Sequence, residues 1–223
     1  MTKAQQLLAY DVLMRLPLLG WSVLCTMVWT NGLARYVREP DPALPNAVYA
    51  INIAMRLSAI AFLVLLAASV ILRARPSGKA RGFEPRVSAL LGTLAVYTFG
   101  LFPRHELSPA GEIVSTLLIL VGTVAAVFVL TQLGRSFSVM AEARRLVTSG
   151  LYGIVRHPLY LAEELAVIGI FMQFLSWWTA LLLATQVAFQ LRRMRNEEVI
   201  LGEIFPEYAA YKAKTARLIP GIY

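Results

Sequence analysis

The chain has 223 residues and a formal net charge of +8, yet 58% of its residues are hydrophobic and only 15% are charged. A mean hydropathy of +0.63 is well above that of a water-soluble domain and excludes a disordered chain. The single cysteine, Cys25, excludes an intramolecular disulfide and a structural zinc site built from thiolates, and reads as a small packing residue.

Crossing the hydrocarbon of a bilayer takes about 20 largely apolar residues in helical form. Windows at 12–34, 48–72, 87–103 and 112–133, then a close pair at 159–175 and 177–191, meet that description. The sequence therefore predicts an all-α, polytopic membrane protein with about six transmembrane helices. The first window is too long and too aromatic for a cleaved signal and lacks a small-residue cleavage site, so it reads as a retained span.

The basic residues follow the spans. Arg73, Arg75, Lys79, Arg81 and Arg86 crowd one connection, Arg135, Arg144, Arg145 and Arg156 another, and Arg192, Arg193, Arg195, Lys212, Lys214 and Arg217 the tail. The alternate connections carry no cationic excess. This is the pattern of the positive-inside rule; it puts both termini in the cytoplasm and argues against a nucleic-acid partner, while the short polar linkers suggest a bacterial inner membrane. Between the first two windows, Pro40-Asp-Pro-Ala-Leu-Pro45 forbids a continuous helix and marks an outer turn. The stretch Arg75-Pro-Ser-Gly-Lys-Ala-Arg-Gly82 reads as a flexible basic loop near lipid headgroups.

Two regions differ in character: 1–133 consists of apolar spans, whereas 134–223 mixes short apolar stretches with dense polar motifs. Only Ser176-Trp177-Trp178 separates the last two windows, which predicts a tight C-terminal helical hairpin with its tryptophans at the outer interface.

Chemistry is expected in Leu146-Val-Thr-Ser-Gly-Leu-Tyr-Gly-Ile-Val-Arg-His-Pro-Leu-Tyr160. Pro158 pushes His157 toward an extended conformation and suits an early helix position, so His157 stands at a helix mouth. Free N–H groups there, with the guanidinium of Arg156, suit an anion. Tyr152 and Tyr160 offer aromatic faces to a purine ring or a sulfonium. A second cluster follows the hairpin: Arg193 and Glu197 are four apart and share a helix face, while Glu198 points elsewhere. Phe205, Tyr208 and Tyr211 continue at three-residue spacing, as in a helix lying on the membrane. The chain has no phosphate loop, dinucleotide fingerprint, serine-hydrolase elbow or metal-ligand spacing of histidines, and His105 reads as a surface residue. Arg56 and Gln186 are too few for the polar pathway of a transporter.

The run Leu146-Val-Thr-Ser-Gly-x-Tyr152, Arg156-His-Pro-x-Tyr160, Glu197-Glu198, Phe205, Tyr208, Tyr211 and Arg217-x-Ile-Pro220 resembles the isoprenylcysteine carboxyl methyltransferase family, related to membrane phospholipid methyltransferases. The resemblance covers roughly 130–220 and implies a methyltransferase core over 134–223, with a cytosolic pocket for S-adenosylmethionine and S-adenosylhomocysteine as product. It assigns cofactor contacts to Arg145, Leu146, Val147, Tyr152, Arg156, His157, Pro158, Leu159, Tyr160 and Glu197, and catalytic roles to Arg193, Glu197 and Glu198. The implied acceptor is a lipid or prenylated small molecule entering from the bilayer. An isoprenylcysteine-type carboxylate is favoured, with lipid N-methylation as a variant. An NADPH-dependent sterol-type reductase, sharing an Arg-His…Tyr turn, is the alternative. Glu163 and Glu164 depart from the family pattern; they either favour the helix dipole or contact a cationic substrate.

Overall fold

The computed structural model describes residues 12–13, 15–42 and 44–222; both chain ends, assigned above to the cytoplasm, lie outside these. The described chain is mostly helical. Three helices are long and apolar enough to cross a membrane: α1 (Leu16–Arg38), α2 (Asn46–Leu72) and α4 (Pro109–Leu133), the last extended by a 3-10 turn to Ser136. Leucine, valine and isoleucine cover nearly their whole circumference. On α1 the one buried residue is Ser22, while Val23, Leu24, Met27 and Val28 are exposed, as lipid-facing side chains are.

The other three windows fold differently from six like spans. Residues 87–103 fall in α3 (Glu84–Leu94), which tightens into a 3-10 helix over Ala95–Leu101. At about 1.5 Å per α residue and 2.0 Å per 3-10 residue, this stretch still rises roughly 30 Å. α5 (Pro158–Gln173) has 16 residues and α6 (Trp177–Ile204) has 28. The turn between them is tight. Ser176 Oγ accepts from Thr179 N–H at 3.2 Å and Thr179 Oγ1 from Ser176 N–H at 2.9 Å, a reciprocal cap.

The two arms are not the closely packed hairpin the sequence predicts. Small residues draw them apart. A Cβ on Gly122 of α4 would stand 2.5 Å from Ala166 N and 2.7 Å from Ala162 O, and one on Gly169 of α5 2.7 Å from Ser115 O, so α5 presses on α4 backbone to backbone. Likewise Gly92 lets α3 approach α6, where a Cβ would meet Gln190 N at 3.5 Å. Ser115 Oγ seals the first contact by donating to Gly169 O at 2.8 Å. α5 thus belongs to α4 and α6 to α3, and between the arms only long polar side chains reach across.

Two short strands, β1 (Gly78–Lys79) and β2 (Glu142–Ala143), pair antiparallel. The basic connection is therefore pinned rather than flexible. Ala74 N–H donates to Arg135 O at 2.8 Å, Ser77 to Ala143 O at 2.7 Å and Ala80 to Ala141 O at 2.9 Å. Behind β2, Leu66, Val70, Ala126, Val129, Leu130, Phe137, Tyr152, Leu159 and Ala162 form one core that binds α2, α4 and the start of α5 into a rigid backing.

Candidate active site

The polar cassette folds as a 3-10 turn at Gly150–Gly153 followed by α5, with His157 just before Pro158 at the first helical position. Gly150 has φ +63°, and a Cβ there would lie 2.5 Å from Gln132 Oε1, the atom that accepts from Leu151 N–H at 3.1 Å. Gly150→Ala is expected to cost about 1–2 kcal/mol from the left-handed backbone alone, read as a lowered thermal unfolding midpoint in detergent.

Two polar clusters from distant parts of the chain meet here. Tyr160 OH donates to Glu197 Oε1, and Arg193 Nε approaches the same oxygen at 3.3 Å, so the pairing of Arg193 with Glu197 exists. The guanidinium carbon of Arg193 stands 4.8 Å over the Tyr160 ring. Its remaining nitrogens donate to Thr93 Oγ1 at 3.2 Å and Ser138 O at 3.3 Å. His157 stands between the two acids, with Nδ1 4.0 Å from Glu197 and Nε2 3.3 Å from Glu198.

Glu198, 5% exposed, is a hub. It receives Arg217 through Nε at 2.9 Å and Nη2 at 2.8 Å, and Arg156 Nε at 3.0 Å. Burial opposes its ionisation, but hydrogen bonds from His157, Arg217 and Arg156 outweigh that and hold its carboxyl far below the usual carboxylate range. Arg156 also donates to the carbonyls of Lys212 and Thr215. Its fork is spent on the tail rather than left open for an anion.

That tail forms a strap. Beyond α6 the chain turns into α7 (Tyr208–Lys214) and returns beside the cassette. There Arg156 N–H donates to Ala216 O at 2.9 Å and His157 N–H to Arg217 O at 3.1 Å. Tyr208 is buried at 3% exposure, and Tyr211 OH donates to Tyr152 O at 2.7 Å. Burial pushes the Tyr211 hydroxyl up to about 12, so it stays a donor at neutral pH. The helix expected on the membrane surface instead faces inward, because its tyrosines close over Tyr152.

These elements line a cavity of about 100 Å³. Arg145, Leu146, Val147, Tyr152, Arg156, His157, Leu159, Tyr160, Arg193 and Glu197 all line it. Pro158 and Glu198 do not. Pro158 starts α5 and Glu198 stands behind the wall. The lining also includes Arg144, beside Arg145 as the family resemblance implies, and Ser136, Ser138, Met140, Tyr208 and Tyr211, which the sequence reading does not assign to the site. The three-residue spacing of the tyrosines was the available signal for two of them. Arg144 is committed to Ala74 O and Glu142, whereas the exposed Arg145 has no ion pair or hydrogen bond among the described residues. Helix geometry leaves the N–H groups of Leu159 and Tyr160 without intrahelical partners. Among the described residues no group of three or more His, Cys, Asp or Glu is placed to hold a metal ion.

A helical membrane protein with a cavity lined by both polar and apolar side chains is the class these features define. Residues 114–203 match the model of the isoprenylcysteine carboxyl methyltransferase (ICMT) family, and over this segment the chain is similar to that family of methyltransferases. The family is not one of reductases. The chain is also similar to two curated proteins. The cobalt-zinc-cadmium resistance protein CzcN of Cupriavidus metallidurans is 36% identical over 76 residues, 34% of this chain and 35% of that protein. The nickel-cobalt-cadmium resistance protein NccN of Alcaligenes xylosoxydans xylosoxydans is 31% identical over 80 residues, 35% of this chain and 38% of that protein. The matches thus span little more than a third of the length of either relative.

Proposed function

We propose that the protein transfers a methyl group from S-adenosylmethionine to an acceptor carried on a lipid-like molecule. The observation that carries this reading is the convergence of the cassette, Arg193 and Glu197 on one cavity within the family-matched segment. The cavity's donors and acceptors suit the cofactor: Arg145 and the start of α5 for a carboxylate, Tyr152, Tyr208 and Tyr211 for a purine, and Glu197 for hydroxyls. Bound S-adenosylmethionine supplies an electrophilic methyl group on a sulfonium.

The protein's part is positioning and exclusion of water. Tyr160 and Arg193 hold Glu197 in one orientation, and the strap over Tyr152 shields the cavity. The lipid acceptor enters sideways through the gap between α5 and α6. The charge pattern of the connections supports six spans with both termini and the cavity in the cytoplasm of a bacterial inner membrane, the fourth to sixth crossings being α4, α5 and α6, and the third the mixed helix 84–101.

Calorimetric titration of the detergent-purified protein with S-adenosylhomocysteine tests this. Saturable binding is expected. Tyr160→Phe deletes a hydrogen bond to a charged group, worth about 1.5–3 kcal/mol, and should weaken Kd by about 10- to 100-fold; His157→Ala and Glu197→Gln should weaken it too. No binding by the unaltered protein would overturn the proposal.

A further inference from the structure

α5 and α6 face each other through three rungs. Arg193 stands over the Tyr160 ring, Gln190 Nε2 donates to Glu163 Oε2 at 3.2 Å, and Gln186 Nε2 donates to Glu164 Oε1 at 2.8 Å. Residues 160, 163 and 164 share one face of α5, and 186, 190 and 193 share one face of α6. The ladder descends about 6 Å along α5 and about 10 Å along α6 from two side chains of the cavity wall into the gap between helices that glycines hold apart.

Its chemistry is one-sided. A carboxylate only accepts, so each glutamine turns its NH2 toward the acid and its carbonyl away. Gln186 and Gln190 are 1% and 3% exposed, and neither Oε1 has a hydrogen-bond partner; that of Gln190 lies beside Gly92. The groups left over are the second N–H of each glutamine and a larger set of acceptors, the two amide oxygens and the second oxygen of each carboxylate. The nearest cation, Arg193, is already committed to Glu197, Thr93 and Ser138. Two acids and surplus carbonyls without donors match a ligand that brings positive charge and several N–H groups. A carboxylate head group would meet two acids here, with the one nearby cation already paired.

We propose that the ladder is the acceptor site, and that the acceptor is a primary or secondary amine on an apolar tail. This rests on the methyltransferase reading above. The ammonium gives a proton to Glu163, the acid nearest the cavity. The freed lone pair forms the N–C bond to the donor methyl while the C–S bond breaks, its electron pair remaining on sulfur as the thioether. The product leaves as an N-methylammonium, and Glu163 releases its proton to water.

The test uses full-length protein in nanodiscs with methyl-labelled S-adenosylmethionine. Dodecylamine, phosphatidylethanolamine and farnesylated N-acetylcysteine are offered separately, and S-adenosylhomocysteine binding is titrated in the same samples. Label on either amine supports the site, and which amine is labelled separates a free long-chain amine from a phospholipid head group. Glu163→Gln should then lower turnover on that amine about 10²-fold with S-adenosylhomocysteine affinity unchanged; undiminished turnover overturns the role. Label only on the carboxylate, or none while S-adenosylhomocysteine still binds, overturns the amine site and leaves the methyltransferase reading standing. Absence of S-adenosylhomocysteine binding brings down both.

Discussion

Glu198→Ala should be the most damaging single replacement at the polar end of the molecule. The carboxylate satisfies Arg156, Arg217 and His157 at once, and its removal takes the acid away from both guanidinium groups, leaving Arg156 with the carbonyls of Lys212 and Thr215. Breaking such a cluster from one side costs about 3–5 kcal/mol, which lowers the thermal midpoint by on the order of 10 °C. The strap should open, so S-adenosylhomocysteine binding is expected to fall as well, although Glu198 does not line the cavity. An unchanged midpoint would show that the tail is held by something else. Acid offers a second view of the same group. Its folded-state carboxyl titrates far below its ordinary value of 4.5, so its contribution is full above that pH and drains away as pH falls beneath it. Glu198→Gln should lack that part of the acid slope.

Gly122→Leu is expected to separate α4 from α5. Ala166 N and Ala162 O stand 2.5 and 2.7 Å from where its Cβ would be, and backbone does not yield as a side chain does. Overpacking costs about 1–3 kcal/mol even where side chains adjust, and here whole helices must move. Because α5 carries Leu159 and Tyr160 into the cavity, a displacement worth 1.4 kcal/mol at the site weakens Kd for S-adenosylhomocysteine about tenfold. Gly20 of α1 has nothing within 4 Å, so Gly20→Leu is the matched control and should leave both midpoint and affinity unchanged. If the two variants behave alike, the close approach of α4 and α5 carries no special weight.

Much of the site is legible in the sequence, because its information is local. A proline after His157, a glycine at a left-handed turn and a four-residue spacing of Arg193 and Glu197 each act through the backbone of their own segment, and these residues converge. What is not legible depends on partners far along the chain. Successive helix positions are turned by roughly 100°, so the sequence separates Glu198 from Glu197, but that Glu198 ties down the strap shows only once Arg156 and Arg217 are beside it. Arg156 reads as an anion fork until Thr215 and Lys212 arrive beside it. The open hairpin is set by Gly92, Gly122 and Gly169, whose effect appears only when α3 and α4 are in place. One signal was available and unused: Gln186, Gln190 and Arg193 form a polar stripe at helical spacing in an otherwise apolar stretch, opposite the two acids that follow Tyr160.

The strap that meets the cassette at Val155 and Ala216 has a consequence for the order of assembly. The cavity's first wall leaves the ribosome some sixty residues before the clasp that closes it (Tyr152 to Tyr211, for instance). The three helices long and apolar enough to cross a membrane all precede that wall in the chain. Membrane insertion and completion of the site are therefore separate events in the life of the molecule. A chain interrupted after α6 would hold its place in the membrane and still be unable to enclose a ligand.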